Sequence, residues 1–321
     1  MNGLNPQDPQ KTVRPVTVII PTYNRQETLK ICLKKLENQT FTDFSVIIVD
    51  DGSTDATLKM LEDYCGTKKL CITVLQQANS GPARARNLAI RHARSPISIL
   101  IGDDILASPT FVEKHLKLHQ QSPGIEVVGL GLTQWDKDLQ DLTPFMTWLE
   151  DVQFLYKDLI AGTKPDWRHF YTSNLSFKTE LVRVEPFDER FRKAAFEDVE
   201  LGYRLTKQGR LKIIFLPEAF ATHVHPTSLL DGCRRMRTVG YAAYQFACYW
   251  PEAKSVALSW GRFKRILFSF FAASPAFTRL VTGMVYRILG NRCRGKVAGF
   301  LLRVHYTIGY QESRRQTKTQ T

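Results

Sequence analysis

Three pairs of adjacent carboxylates are placed where they could do chemistry. Asp50-Asp51 follows the apolar run Val46-Ile47-Ile48-Val49, and Asp103-Asp104 follows Ile97-Ser98-Ile99-Leu100-Ile101-Gly102. The third pair, Glu197-Asp198, opens a helical stretch over 198–208. Runs rich in β-branched residues read as buried strands. The first two pairs therefore stand at strand ends, where open α/β sheets keep their ligand crevice. Neighbouring carboxylates repel unless a cation or a donor sits between them. The pattern points to a metal-assisted site for a phosphate-bearing ligand. A helix cap is the competing reading for any one pair; recurrence at two strand ends favours the site. His223-Val224-His225-Pro226 adds two imidazoles on one side of an extended segment. Either could complete a metal shell or bond a departing diphosphate, and a structural role is the alternative. Arg84 and Arg86 lie near a helix start, where free N–H groups favour anions; a solvated helix face would present them equally well.

The elements that must hold these residues follow from the apolar pattern. Strands are expected over 16–20, 45–49, 71–75, 97–101 and 127–132, and helices over 26–38, 54–64, 82–93 and 108–120. Leu29, Leu33 and Leu36 share one face of the first helix, and Pro82 suits the first turn of the third. Strand alternating with helix over short connections argues for a mostly parallel central sheet with helices on both faces. Beyond residue 132 the alternation loosens. A helix is expected over 144–160, short strands over 174–177 and 211–216, a helix over 198–208, and helices from 231 on with breaks at Pro251 and Pro275. The expected division is a lead-in over 1–15, two halves of one domain over 16–132 and 133–240, and a basic amphipathic helical tail over 241–321.

Several motifs together resemble family 2 glycosyltransferases of the GT-A fold. They are Val18-Ile19-Ile20-Pro21-Thr22-Tyr23-Asn24-Arg25, Ile48-Val49-Asp50-Asp51-Gly52-Ser53-Thr54-Asp55, Asn79-Ser80-Gly81-Pro82-Ala83-Arg84-Ala85-Arg86-Asn87, Gly102-Asp103-Asp104, Phe187-Asp188-Glu189-Arg190-Phe191 and Phe196-Glu197-Asp198-Val199-Glu200-Leu201-Gly202-Tyr203-Arg204-Leu205. Each is modest evidence alone; their joint presence in this order over 16–240 is strong. The resemblance implies an inverting transfer of a sugar from a nucleotide-diphosphate donor, most often a UDP-sugar, to a hydroxyl acceptor. It implies Thr22, Asn24, Asp50, Asp51, Arg84 and Asp103 as nucleotide-binding residues, with Thr22 and Asp51 at the base. It implies a divalent Mn²⁺ or Mg²⁺ held by Asp104 and His223 with Asp103 toward the ribose, or the two aspartates in the reverse order. Asp198 is the implied general base, with Glu197 beside it. An inverting displacement needs one base opposite the leaving group and no protein nucleophile. Asn174, His225, Trp135 and Arg237 are the residues expected toward sugar and acceptor. Many members carry an aspartate two residues before Asp103, where this chain has Ile101. That departure keeps a non-catalytic nucleotide-sugar or glycan binder as a rival. A nucleotidyltransferase would need a glycine-rich basic loop after the first strand, which Pro21-Thr22-Tyr23-Asn24 does not supply.

Composition adds a location. The 321 residues carry a net charge of +13, of which +11 falls on 255–321 and only +2 on the first 254. The tail is also apolar but has no run of the ~18 uncharged residues that a span needs. A basic, apolar segment of that kind reads as lying on an anionic membrane surface; a solvated helical appendage is the bland alternative, and nucleic acid is not expected. The acceptor would then be a growing surface polysaccharide or a lipid-linked glycan at the inner face of the plasma membrane. No signal-peptide pattern opens the polar, proline-containing residues 1–15. The six cysteines show no paired metal-ligand spacing, and Cys32, Cys65 and Cys71, in apolar or helical contexts, read as buried or half-buried thiols of a reducing compartment.

Overall fold

A computed structural model describes residues 13–67, 69–257 and 262–320; the lead-in 1–12 lies outside them. Two compact units are present: one takes the chain up to Leu139 and Phe154–His225, the other Gln140–Gln153 and Pro226–Thr321. The boundary expected after residue 240 falls inside one continuous helix, and residues 140–153 belong with the second unit.

The first unit follows the alternation read from the sequence: β1 (Val16–Thr22), α1 (Gln26–Glu37), β2 (Phe44–Asp50), α2 (Thr57–Gly66), β3 (Cys71–Gln76), α3 (Pro82–His92), β4 (Ile97–Ile101), β5 (Ile105–Ala107), α4 (Phe111–Gln121) and β6 (Val127–Trp135). After α5 (Pro144–Gln153), which belongs to the second unit, come α6 (Tyr156–Ile160), β7 (Asn174–Lys178), α7 (Thr179–Val184), α8 (Glu197–Lys207) and β8 (Lys212–His223). The strands form one sheet in the order β3-β2-β1-β4-β7-β6-β8-β5. Strands β3, β2, β1 and β4 are mutually parallel, as are β6 and β8; β7 runs antiparallel between β4 and β6.

Both faces of the sheet are covered, because successive strand residues point to opposite sides. Val18, Ile20, Val46 and Ile48 pack on α1, α2 and α4 through Leu29, Leu33, Met60, Leu61 and Phe111. Ile19, Ile47, Val49 and Leu100 pack on α3, α7 and α8 through Ala85, Ile90, Val182, Leu201 and Leu205. The helix expected over 144–160 is two helices, and Leu155, at φ 51°, opens the second of them, α6, in the first unit. Strand β8 is twelve residues long rather than six, and its second half pairs with both β5 and β6. Cys65, expected buried or half-buried, is exposed.

The second unit is helical: α5, then α9 (Leu229–Tyr249), α10 (Lys254–Ala257), α11 (Arg262–Ala272), α12 (Pro275–Leu289) and α13 (Gly295–Gln320). Its core joins Phe145, Leu229, Cys233, Leu301 and Leu302.

Candidate active site at the strand ends

Parallel strands β1 and β2 end in register, Thr22 against Asp50, so their exit loops lie side by side. Asn24, at φ 53°, joins the two loops: its Oδ1 accepts from Thr54 N–H at 2.7 Å, and its own N–H donates to Ser53 Oγ at 2.9 Å. Asparagine tolerates this left-handed backbone better than most residues. Asp50, fully buried, accepts the Ser53 N–H and shapes the turn. Asp51 accepts from Gln77 Nε2 at 2.7 Å and from the N–H groups of Ser80 and Gly81 at 2.8 and 2.9 Å. Three donors on one buried carboxylate fix the loop that enters α3. Gly81 is needed there: φ is 91°, and a Cβ would stand 2.0 Å from the Arg192 carbonyl oxygen. Asp51, expected at the base, is thus committed mainly to holding this loop.

The β4–β5 turn brings in the second pair. Thr22 Oγ1 donates to Asp103 Oδ2 at 2.7 Å, so Thr22 faces this carboxylate. Burial, followed by the neighbouring charge of Asp104, raises the Asp103 carboxyl well above the usual range. Asp104 turns the other way. Its Oδ2 lies 3.3 Å from His223 Nε2, 3.5 Å from His225 Nδ1 and 3.9 Å from Arg25 Nη2. Burial pushes its carboxyl up, but His223, His225 and Arg25 outweigh that and hold it far below the usual range. One carboxylate oxygen and two imidazole nitrogens, all within 4.8 Å of one another, form a group that could hold a metal ion. His225, expected toward the acceptor, joins this group; Asp103 does not.

The β8 extension explains how the imidazoles arrive. His223 pairs with Ile105 of β5 on one side and with Trp135 of β6 on the other. The Trp135 indole stacks on the His223 ring at 4.8 Å and 15°, and is 5% exposed. Trp135 was expected to line an acceptor groove; it backs the His223 ring instead. Arg25, just ahead of α1, has a role that the residue types did not single out. Its guanidinium reaches His225 Nδ1 at 3.1 Å, and the sequence signal was its place directly after the first strand's exit.

Helix α8 begins after Phe196, held at φ 68°. Glu197 is buried and accepts from Arg86 Nη1 at 2.9 Å, tying the start of α8 to α3. Its second oxygen and Arg86 Nε are buried without a hydrogen-bond partner among the described residues. The Arg86 guanidinium also lies 5.6 Å over the Phe187 ring. Asp198 is partly exposed, and its Oδ1 accepts the N–H of Val199 at 2.8 Å. It stands near enough to Tyr171 to add to the upward push that burial, then Tyr156, gives that phenol. The pair thus divides: Glu197 anchors the helix and Asp198 is presented outward.

Two further expectations are corrected by their surroundings. Asn174, expected to meet a sugar hydroxyl, is fully buried. Its Oδ1 takes His115 Nε2 at 2.9 Å, and its Nδ2 donates to the carbonyls of Ala219 and Leu132 at 2.9 and 3.3 Å. Every hydrogen on its amide is spent inside the sheet. Arg237, expected at an acceptor phosphate, lies in the second unit, where it forms a two-pronged pair with Glu312. Arg84 is exposed, and its Nε lies 3.9 Å from Glu189.

An α/β sheet of this order, with its charged cluster at the strand ends, is the GT-A fold. Mannosyltransferase PcManGT from Pyrobaculum calidifontis, solved with GDP-Man and Mn²⁺, superposes with a TM-score of 0.59 at 19% identity, over 97% of this chain and 89% of that one. TarS of Staphylococcus aureus, a poly(ribitol-phosphate) beta-N-acetylglucosaminyltransferase, superposes with a TM-score of 0.52 at 18% identity, over 94% of this chain and 55% of that one.

The sequence profile of glycosyl transferase family 2 matches residues 17–190, more than half the chain, and the chain belongs to that family. It is 32% identical to the glycosyltransferase YfnE of Bacillus subtilis, over 60% of this chain and 60% of that protein. It is 30% identical to validoxylamine A glucosyltransferase of Streptomyces hygroscopicus subsp. jinggangensis, over 60% of this chain and 52% of that one. The match thus spans between half and three fifths of these relatives' lengths.

Proposed function

We propose that this protein is an inverting glycosyltransferase that moves a sugar from a nucleotide-diphosphate donor, UDP-linked in the first instance, to a hydroxyl of a growing polysaccharide or lipid-linked glycan. The observation that carries the reading is the Asp104–His223–His225 cluster at the strand ends of a family 2 sheet. Relatives named for poly(ribitol-phosphate) glycosylation and chondroitin synthesis support a polymer as acceptor.

The cluster fits a divalent metal. Asp104, His223 and His225 would hold it, and two imidazoles beside one carboxylate suit Mn²⁺ better than Mg²⁺, which prefers oxygen ligands. When bound, such an ion neutralises charge on the diphosphate leaving group. Arg25 supplies a fixed cation beside the same cluster, and Asp103, which accepts from Thr22, is assigned to the ribose in this reading. Asp198 takes the proton from the acceptor hydroxyl as its oxygen bonds to the anomeric carbon and the bond to the diphosphate oxygen breaks. Glu197, paired to Arg86, sets where α8 starts and so where Asp198 points. Ile101, the position where many relatives have an aspartate, is 1% exposed in the core; His225 offers the third donor in its stead.

A thermal-shift panel of nucleotide diphosphates and their sugars, with and without Mn²⁺, tests the reading. The expected result is a Mn²⁺-dependent shift with one nucleotide, followed by release of that diphosphate on incubation with its sugar donor. Absence of any shift across the panel would overturn it.

A further inference from the structure

Helix α12 is amphipathic the wrong way round for a water-soluble surface. Its inward face carries Thr278 and Thr282, 3% exposed each. Their hydroxyls are satisfied by the carbonyls of Phe271 and Thr278 at 2.7 and 2.8 Å, and Thr282 also meets His305 Nε2 at 3.1 Å. The outward face carries Phe277, Leu280, Met284 and Ile288, exposed by 49, 60, 49 and 80%. Spacings of three and four residues put these four on one stripe. On α11, Ile266 and Phe270, one turn apart, continue the pattern at 64 and 75% exposed. Contiguous apolar surface of this kind marks an interaction site rather than scatter.

Charge and geometry choose the partner. Residues 255–321 carry a single acidic side chain, Glu312, and that one is paired to Arg237. Arg287 on α12 and Arg292, Arg294 and Lys296 just after it are exposed. An apolar stripe flanked by exposed cations complements an anionic lipid surface. No single described helix is long and apolar enough to cross a membrane, and α11 and α12 meet at 94°. Helix α12, with 15 residues, is ~22 Å long against a hydrocarbon core of ~30 Å.

We propose that α11 and α12 form a bent interfacial anchor that lies in the plane of an anionic bilayer, with Ile266, Phe270, Phe277, Leu280, Met284 and Ile288 entering the acyl boundary and Arg287, Arg292, Arg294 and Lys296 meeting lipid phosphates. The anionic cytoplasmic leaflet is the surface it fits. This anchor is independent of the chemistry assigned to the other unit.

The test is co-sedimentation of the full chain with vesicles of phosphatidylglycerol and phosphatidylcholine in equal parts, against phosphatidylcholine alone. Binding to the anionic vesicles and a marked preference over the neutral ones are expected. The triple variant Phe270→Ser, Leu280→Ser, Ile288→Ser removes only exposed side chains and should lower the partition by ~30-fold or more. The variant Arg292→Glu, Arg294→Glu, Lys296→Glu should lose about fivefold for each cation removed. Circular-dichroism melting confirms that both variants fold, and donor-induced thermal shifts report the other unit separately. Equal binding to both vesicle types, no binding by the wild type, or undiminished binding by the serine variant would overturn the proposal. So would sedimentation equilibrium showing a dimer that the serine substitutions dissociate, since a second copy would then cover the stripe.

Discussion

The buried histidine chain beneath the sheet predicts a specific acid lability. His115 and His119 lie on α4, 0 and 1% exposed, and share the hydroxyl of Ser176 at 2.8 and 2.9 Å. Asn174 Oδ1 only accepts, so His115 Nε2 carries a proton and its Nδ1 accepts from Ser176. Ser176 Oγ then accepts from His119 Nε2–H, which leaves His119 Nδ1 as a bare acceptor, and that atom has no hydrogen-bond partner among the described residues. Each proton has one place, and a further proton on either ring leaves a donor without an acceptor. Burial holds His115 down to about 4; burial, then the charges of Lys178 and His115, hold His119 down to about 3. The folded state therefore binds fewer protons than the unfolded chain between pH 6.5 and those values, and stability falls as pH falls through that window. Each imidazole contributes a slope of about 1.4 kcal/mol per pH unit, and the His115 shift alone amounts to about 3 kcal/mol by pH 4. The two rings interact, so their losses sum to less than the separate values. Urea unfolding of the wild type and of His115→Gln/His119→Gln at pH 7, 6 and 5 measures it. The variant should be less stable at pH 7 and lose about 2 kcal/mol less per pH unit on acidification. Equal pH slopes for the two proteins would refute the reasoning.

The other predictions concern the strand-end site. Asp104→Ala should weaken Mn²⁺-dependent donor binding by about 100-fold and His225→Ala by about tenfold; calorimetric titration with and without Mn²⁺ checks both, and unchanged affinities would remove them from the ligand set. Asp198→Asn should leave donor affinity unaltered and lower kcat by ~10²–10⁴, so undiminished turnover would reject it as base. Arg86→Ala leaves the buried Glu197 carboxylate uncompensated and should cost about 3–5 kcal/mol in urea unfolding; adding Glu197→Ala should restore part of that, and strict additivity would show that the two are not coupled.

Much of the fold was legible because its signals are local. The runs ending at Ile20, Val49 and Ile101 are strands because β-branched residues buried on both faces leave no amphipathic stripe to read as helix. Leu29, Leu33 and Leu36 gave α1 its buried face. What escaped was set by pairing across the chain. β5 has three residues, too few for a period. The second half of β8 holds Pro217 and Glu218, which argue against a strand, yet its outer residues join β5 to β6. A proline is tolerated there because the register shifts between Gly131 and Thr133, and the ladder lapses opposite it.

The same contrast governs the site. Residue type and strand-end position singled out Asp104, His223 and His225 as chemistry-bearing residues, but they grouped Asp103 with the metal ligands and sent His225 toward the acceptor. Type could not say which polar side chains were already committed. Asn174 offers the same amide to a sugar hydroxyl or to two carbonyls and an imidazole, and only the β4–β7–β6 register, invisible in a single strand, decides for the latter. Trp135 is aromatic whether it stacks on a sugar or on His223; the parallel register of β6 with β8 decides. Arg25 was overlooked for the opposite reason. A lone arginine at a loop has a solvated reading by default, and its value comes from Asp104 and His225, 79 and 200 residues away. Chemistry-bearing residues are therefore read from sequence as a set of capabilities, and the long-range pairings of the sheet assign which of them remain available for substrate.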